Sequence, residues 1–350
     1  MTAVNVVFAD VDTGIDDAMA LIFLLASPDA NVVGIASTGG NIAVDQVCAN
    51  NLGLLELCRA TDIPVSRGAD LPLNGQRPDR GKVHGPKGLG YADLPPTDGR
   101  LTSYDSATAW VRAAHAFPGK LIGLATGPLT NLALALRAEP TLPKLLRRLV
   151  IMGGAYDYPG NTTAVAEWNI SVDPEAAAEV FAAWSAEATE PQRLPILCGL
   201  NLTHKIVMTP DILARLVAAT DPASGMLMSP RDEPGTRSMA SNPLIRVVED
   251  AMRFYFEIHS DDRGGYLAHL HDPLAAAVAL DPGLIATRPA AVDVELTGTL
   301  TRGMTVTEWS GNREPNALIG IGVDPEAFFD RFIERVGPFA RRQVGTPRRT

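Results

Sequence analysis

The chain has few cysteines, fewer basic than acidic residues and no long apolar run, and each shortage removes a class of function. The 3 cysteines, Cys48, Cys58 and Cys198, stand singly in apolar surroundings, with an odd count and no C-x-x-C spacing. They read as reduced thiols of a cytoplasmic protein rather than a disulfide framework. Lys and Arg number 30 against 40 Asp and Glu, a formal charge of −10. Binding to nucleic acid or anionic lipid rests on Lys and Arg neutralising phosphates, so neither is expected as a partner. Every apolar stretch ends well short of the roughly 18 residues that a membrane helix needs. Ala3 to Ala9 has the look of a short signal core, but no basic segment precedes it and Asp10 ends it. Neither an internal repeat nor a low-complexity linker breaks the chain.

What remains is a globular sequence of 350 residues, 46% hydrophobic, with room for two domains or one large α/β unit. At this size roughly three quarters of the unfolded surface can be buried without a disulfide or metal. We expect a single α/β domain over residues 1–340 and a frayed basic tail over 341–350. Short apolar, β-branched runs at residues 4–9, 32–36, 121–125, 149–152 and 194–197 alternate with helical patterns at 14–25 and 44–59. This predicts a mainly parallel central sheet with helices on both faces, a Rossmann-like open sheet. Further strands are expected at 291–296 and 304–308, and helices at 243–259 and 324–336. Ligands in such sheets bind beyond the carboxyl ends of the strands. Polar residues collect there: Asp10-Val11-Asp12, Gly39-Gly40-Asn41, Thr126-Gly127 and Gly153-Gly154 each follow a strand-like run. Pro72 to Pro96 is a long loop rich in Gly and Pro, of the kind that is functional or disordered.

Asp10, Asp12, Asp16 and Asp17 fall within eight residues. A helix N-terminus stabilises an adjacent carboxylate by about 0.3–1 kcal/mol, which accounts for Asp16 and Asp17. It does not account for four converging on one turn, because packed carboxylates repel. A hard cation removes that repulsion, and an all-oxygen ligand set suits Ca²⁺ or Mg²⁺.

Asp10-Val11-Asp12-Thr13-Gly14-Ile15-Asp16-Asp17-Ala18 resembles the D-x-D-P-G-x-D-D-A signature of the inosine-uridine preferring nucleoside hydrolase family. Thr13 replaces the usual Pro at a position that shapes the turn and bears no ligand. Further blocks match in order: Gly40-Asn41, Val83-His84-Gly85, Ala125 to Asn131, Ile151 to Gly154, Gly160-Asn161 with Ala166 to Asn169, and Leu270 to Pro273. Together they span about residues 5 to 337.

The resemblance implies Ca²⁺-dependent hydrolysis of the N-glycosidic bond of ribonucleosides, in purine or pyrimidine salvage. The implied Ca²⁺ ligands are Asp12, Asp17, the Thr126 carbonyl and Asp272. Asp12 is then the base that activates the attacking water, and the transition state resembles an oxocarbenium ion. Asp16 and Asn169, with Asp272, would hold the ribose hydroxyls, and Asn41 would line the sugar site. Asn161 and Glu167 would grip the 5′-hydroxyl while Met152 packs on the ribose. A Glu at that place favours free nucleosides over nucleotides. His271 stands where some members place a general acid for the leaving base. His84 would approach ribose or base as its loop closes, and Trp168 and Tyr266 offer aromatic surface to the base. His259 and His269 read as incidental, and Asp10 as supporting. Asp272 also reads as an N-cap for a helix beginning at Pro273. The family implies a homodimer or homotetramer.

Two other readings compete. A non-catalytic nucleoside- or ribose-binding protein would keep the same fold and metal. A haloacid-dehalogenase-like phosphotransferase would use Asp10 as nucleophile with Mg²⁺, and would need further acids such as Asp261 and Asp262.

Overall fold

The computed structural model describes residues 4–76, 83–187, 193–220, 228–261 and 265–344. Its first half alternates strand and helix: β1 (Asn5–Val11), α1 (Ile15–Ala26), β2 (Ala30–Ser37), α2 (Val44–Cys58), β3 (Val65–Arg67), α3 (Ser106–Ala116), β4 (Leu121–Ala125). There follow α4 (Thr130–Ala138), α5 (Leu142–Leu145), β5 (Leu146–Met152), α6 (Trp168–Val172), α7 (Pro174–Glu187), β6 (Ile196–Cys198) and α8 (Leu200–Thr203). The remainder is β7 (Val207–Met208), α9 (Pro210–Thr220), α10 (Pro243–Asp261), β8 (Ala268–His269) and α11 (His271–Leu280). The chain closes with β9 (Ile285–Val294), β10 (Thr305–Glu308), β11 (Ala317–Val323) and α12 (Pro325–Val344).

Nine strands form one sheet in the order β10-β9-β11-β6-β5-β4-β1-β2-β3. Pairing is parallel from β11 through β3, while β9 runs antiparallel to both β11 and β10. β7 and β8 form a separate antiparallel pair. The expected mainly parallel sheet is therefore present, with one antiparallel edge.

Alternation along β1 explains the layering. Successive side chains point to opposite faces, so Val7, Ala9 and Val11 enter one core with α1, α11 and α12 residues. Phe8 enters the other, with Trp110 of α3 and the apolar faces of α4 and α7. A strand buried on both faces must be apolar on both, which is why the run is continuous rather than alternating. All three cysteines are buried and free. Among the described residues no helix is long and apolar enough to cross a membrane.

The closing helix departs from expectation. The pattern ends it at Val336, before Gly337-Pro338, and assigns 341–350 to a tail. Instead α12 carries Pro338 in its interior and continues to Val344. A helical proline forfeits one N–H bond, and tertiary bonds hold the turn that follows. The Ala340 carbonyl accepts from Asn242 Nδ2 at 2.8 Å, and Arg341 Nε donates to the Thr220 carbonyl at 3.3 Å. Residues 345–350 of the expected tail lie outside the described residues.

Gly123 of β4 lies opposite Phe8 in register, and a Cβ there would fall 2.6 Å from the buried Trp110 ring. Gly123→Ala is expected to destabilise the protein by about 1–3 kcal/mol through overpacking, read from urea unfolding. Gly322→Ala, whose Cβ would meet its nearest neighbour at 3.6 Å, should stay within about 1 kcal/mol.

Candidate functional site

Strand order reverses between β1 and β4, and the loops leaving β1, β2, β4 and β5 open a crevice there. It contains a cleft of about 450 Å³. Asp16, Asn41, His84, Thr126, Met152, Asn161, Glu167, Trp168, Asn169, His271 and Asp272 all line it. Asp12 and Asp17 lie beneath the floor, both fully buried.

Four carboxylates meet at that floor. Asp16, Asp17 and Asp272 each place a carboxylate oxygen within 4.8 Å of the others. Asp12 approaches from the end of β1, where its Oδ2 accepts from the Asn41 backbone N–H at 2.8 Å. Only glycine fits at position 40, since a Cβ would fall 2.1 Å from that oxygen. Asp17 Oδ2 accepts from the Gly14 N–H at 2.9 Å, fastening the start of α1, and its Oδ1 accepts from the Thr126 hydroxyl at 2.7 Å. Asp12 Oδ1 is buried without any hydrogen-bond partner.

Burial raises the pKa of all four. For Asp12 and Asp272 the rise is large, with the charges of Asp17 and Asp16 adding to it; Asp16 is pushed up to about 7 by burial and then Asp17. Burial also raises Asp17, against the bonds from Gly14 and Thr126. A buried oxygen without a donor, an all-oxygen set and mutual repulsion together fit a hard divalent cation. Asp12, Asp17, Asp272 and the Thr126 carbonyl could hold it. That carbonyl already accepts from Asn169 Nδ2 at 2.7 Å and keeps a second lone pair.

Asp10 belongs to a different network. Its Oδ2 accepts from Trp110 Nε1 at 2.7 Å and its Oδ1 from Asn131 Nδ2 at 2.9 Å. Both oxygens are engaged away from the cleft, so Asp10 is not placed to be a phosphotransferase nucleophile. Asp272 is not a cap either: α11 begins at His271 and its N-cap is Leu270, leaving Asp272 in the first turn, aimed at Asp16. Asp261 ends α10, and residue 262 lies outside the described residues.

The polar wall leaves specific atoms for a ligand. Asn169 spends its amide hydrogens on the Thr126 and Met152 carbonyls, at 2.7 and 3.2 Å, so its side-chain oxygen remains. Glu167 caps α6: Oε1 accepts from the Asn169 N–H at 2.9 Å, and Oε2 from the Gly154 and Ile170 N–H groups at 3.0 Å each. A carboxylate has about four acceptor sites, so one on Oε1 remains. Asn161 is exposed at the rim and holds the Trp168 N–H at 2.9 Å.

The histidines correct the sequence expectation most. His259 and His269, read as incidental, line the cleft, as do His204 and Tyr255, which the motifs do not single out. Five of the 6 histidines therefore face one cavity. His84 is already docked: its Nδ1 accepts from the Ile15 N–H at 3.0 Å, which puts its hydrogen on Nε2, and burial lowers its pKa to about 4. Burial, then the neighbouring His204 and His269, holds His271 well below the ordinary imidazole range. Burial, then His204, lowers His269 to about 4. Tyr266 is misassigned to the base: its ring packs at a tilt against Phe256, centroids 5.2 Å apart, in a separate cavity with Tyr91 and Phe254. The pattern that could have revealed the missed residues is Tyr255 and His259 one helical turn apart on α10, with His269 at the end of β8 two positions before His271 at the start of α11.

The chain matches known proteins over nearly its whole length. The inosine-uridine preferring nucleoside hydrolase family matches residues 7–330. The chain is 35% identical over 339 residues to the pyrimidine-specific ribonucleoside hydrolase RihA of Citrobacter koseri, covering 95% of this chain and 98% of that protein. Among solved structures it resembles a purine-preferring ribonucleoside hydrolase from Gardnerella vaginalis, with TM-score 0.83, 26% identity, and 97% and 100% of the two chains covered. A plant nucleoside hydrolase gives TM-score 0.81 at 30% identity, covering 95% and 99%.

The raised carboxyl pKa values make a signed prediction. A carboxyl raised from 3.8 to about 7, as for Asp16, favours the fold while protonated. That contribution is complete below the unfolded value and is lost as pH rises through the folded one. The chelated protein should therefore lose thermal stability between about pH 4 and 7, and added Ca²⁺ should restore more at the upper end, because cations and protons compete. A Ca²⁺-induced shift in melting temperature that is the same at every pH would count against the cluster as the cation site.

Proposed function

Because this chain belongs to the inosine-uridine preferring nucleoside hydrolase family, we propose that it hydrolyses free ribonucleosides to base and ribose with a bound Ca²⁺. It is an enzyme acting on N-glycosidic bonds. The observation that carries the finer reading is the unpartnered Asp12 Oδ1, buried beside the three other carboxylates.

When bound by Asp12, Asp17, Asp272 and the Thr126 carbonyl, Ca²⁺ neutralises their repulsion and makes a neighbouring water more acidic. Asp12 takes the proton from the attacking water, using the oxygen that has no other donor. Asp16 and Asp272 accept from ribose hydroxyls, as does the free side-chain oxygen of Asn169, with Asn41 closing the sugar site. Met152, buried at the end of β5, packs against the ribose. The remaining acceptor site of Glu167 takes the 5′-hydroxyl, helped by Asn161, and its charge repels a 5′-phosphate. As water adds to C1′, the C1′–N bond breaks and its electron pair passes to the base. The positive charge that develops on the sugar faces carboxylates that are fixed before the reaction, which is where such charge is best stabilised. Trp168 and the His84 ring flank the base, and His271 hydrogen-bonds it as it leaves. A homodimer or homotetramer is the expected assembly, which light scattering reads directly.

Asp12→Ala should cut kcat on the best nucleoside by about 10³-fold or more while circular dichroism and nucleoside binding persist. A panel of purine and pyrimidine ribonucleosides, assayed for ribose release, identifies that substrate. Unaltered turnover in the variant sinks Asp12 as the base. Saturable binding with no release from any wild-type reaction would favour a binding protein instead.

A further inference from the structure

His271 has two ring nitrogens, and the fold has already engaged one of them. Nδ1 lies 2.7 Å from the hydroxyl of Thr203. Thr203 is fully buried at the end of α8, directly after β6, and its own N–H is tied to the Gly199 carbonyl at 2.9 Å. Among the described residues that hydroxyl has no other partner. The rings of His204 and His269 pack beside His271 with centroids 5.4 and 5.8 Å away. They enclose the ring without a hydrogen bond that would choose between its nitrogens.

A threonine hydroxyl both donates and accepts. It can donate to Nδ1 of a ring that carries its hydrogen on Nε2, or accept from Nδ1–H. In both cases Nε2 is the nitrogen left for the cleft, and it carries a hydrogen when the hydroxyl donates to Nδ1 or when the ring is charged. We propose that Thr203 is a positioning residue that holds Nδ1 of His271 so that Nε2–H meets the departing base. This rests on the hydrolase reading and on His271 facing the base. The C1′–N bond breaks with its electron pair moving onto the base, and Nε2–H hydrogen-bonds the charge that accumulates there. Without the hydroxyl nothing holds Nδ1, the ring is free to turn, and the base leaves unaided.

The test compares two leaving groups. One is the ribonucleoside that the wild type hydrolyses fastest; the other is p-nitrophenyl β-D-riboside, whose phenolate departs without a hydrogen-bond donor. Thr203→Val, nearly isosteric, is expected to lower kcat on the nucleoside by about 10- to 100-fold, with KM within about threefold. On the p-nitrophenyl riboside the loss should be no more than about threefold. Thr203→Ser, which returns the hydroxyl, should recover most of the nucleoside turnover. Equal losses on both substrates, or no loss on the nucleoside, would overturn the proposal.

A second pair covers the case in which Thr203→Val does not fold. A glutamine amide reaches the place of Nε2 and an asparagine amide that of Nδ1. His271→Gln should therefore retain at least about tenfold more nucleoside turnover than His271→Asn, and the opposite order overturns the assignment. Wild-type protein that cleaves neither substrate defeats the hydrolase reading itself, a result distinct from either of these.

Discussion

Four buried carboxylates share one small volume, and the rest of the site is arranged around their repulsion. An uncompensated buried charge costs several kcal/mol, and here four are grouped with no Lys or Arg paired to them among the described residues. The nearest basic nitrogen is His84 Nδ1, 4.0 Å from Asp16, and it already accepts from the Ile15 N–H. Surface acids are treated differently. Asp45, Glu179 and Asp330 each pair with an arginine. Such exposed pairs contribute about 0–1 kcal/mol, whereas the clustered acids have no Lys or Arg partner among the described residues. They can hold protons or a cation, and the fold accommodates both.

The scaffold beneath the cluster is itself polar. Asp10 and Phe8 share a face of β1, as period-two alternation requires, and Trp110 packs on Phe8 with ring centroids 4.7 Å apart while donating to Asp10. Asn131 completes the network by bonding Asp10, the Ser37 carbonyl and the Ala69 N–H. One buried carboxyl, its pKa pushed up to about 7 by burial, thus ties α3, α4 and the loops after β2 and β3 to the central strand. The strand ends at Val11, so Asp12 leaves the alternation and turns towards Asp16 and Asp17. Two aspartates two positions apart consequently sit in different networks, one holding helices and the other joining the acidic cluster.

Local sequence reports this division unevenly. The floor was legible because Asp12, Asp16 and Asp17 sit on one strand–turn–helix unit whose geometry follows from spacing alone. Asn161, Glu167 and Asn169 were legible only through motif resemblance, since nothing local distinguishes Glu167 from a surface acid. What identifies it is three backbone N–H groups converging on a buried carboxylate. Tyr255, His259 and His269 were not legible because they reach the cleft from α10 and β8, and the packing of α10 against α1, α12 and β8 is a tertiary fact. Tyr266 shows the opposite error: an aromatic near the site in sequence, it turns away to pack against Phe256. The end of α12 was misread for a related reason. Gly337-Pro338 is a stop signal locally, and the bonds to Asn242 and Thr220 that override it come from distant segments.

The cleft is divided by charge, and the division follows from burial acting oppositely on acids and imidazoles. Desolvation disfavours the charged form of both. A cation on the floor can restore the carboxylates to their charged form, whereas nothing on the upper wall does so for the rings. His84, His204, His269 and His271 are all shifted downward, and burial is the first cause for each. Protonating several rings within 6 Å of one another would add cation–cation repulsion to that penalty. The rings therefore supply one donor and one acceptor apiece, and neighbouring groups set their orientation. His84 accepts through Nδ1 from Ile15, while His259 donates through Nδ1 to the Tyr255 carbonyl at 2.9 Å. Such a wall suits an uncharged heteroaromatic base, which offers both kinds of edge and a flat face. The floor suits a sugar that becomes positive as the bond breaks. Were the rings charged and the carboxylates neutral, the same residues would oppose both requirements, so the order of the two layers matters as much as their composition.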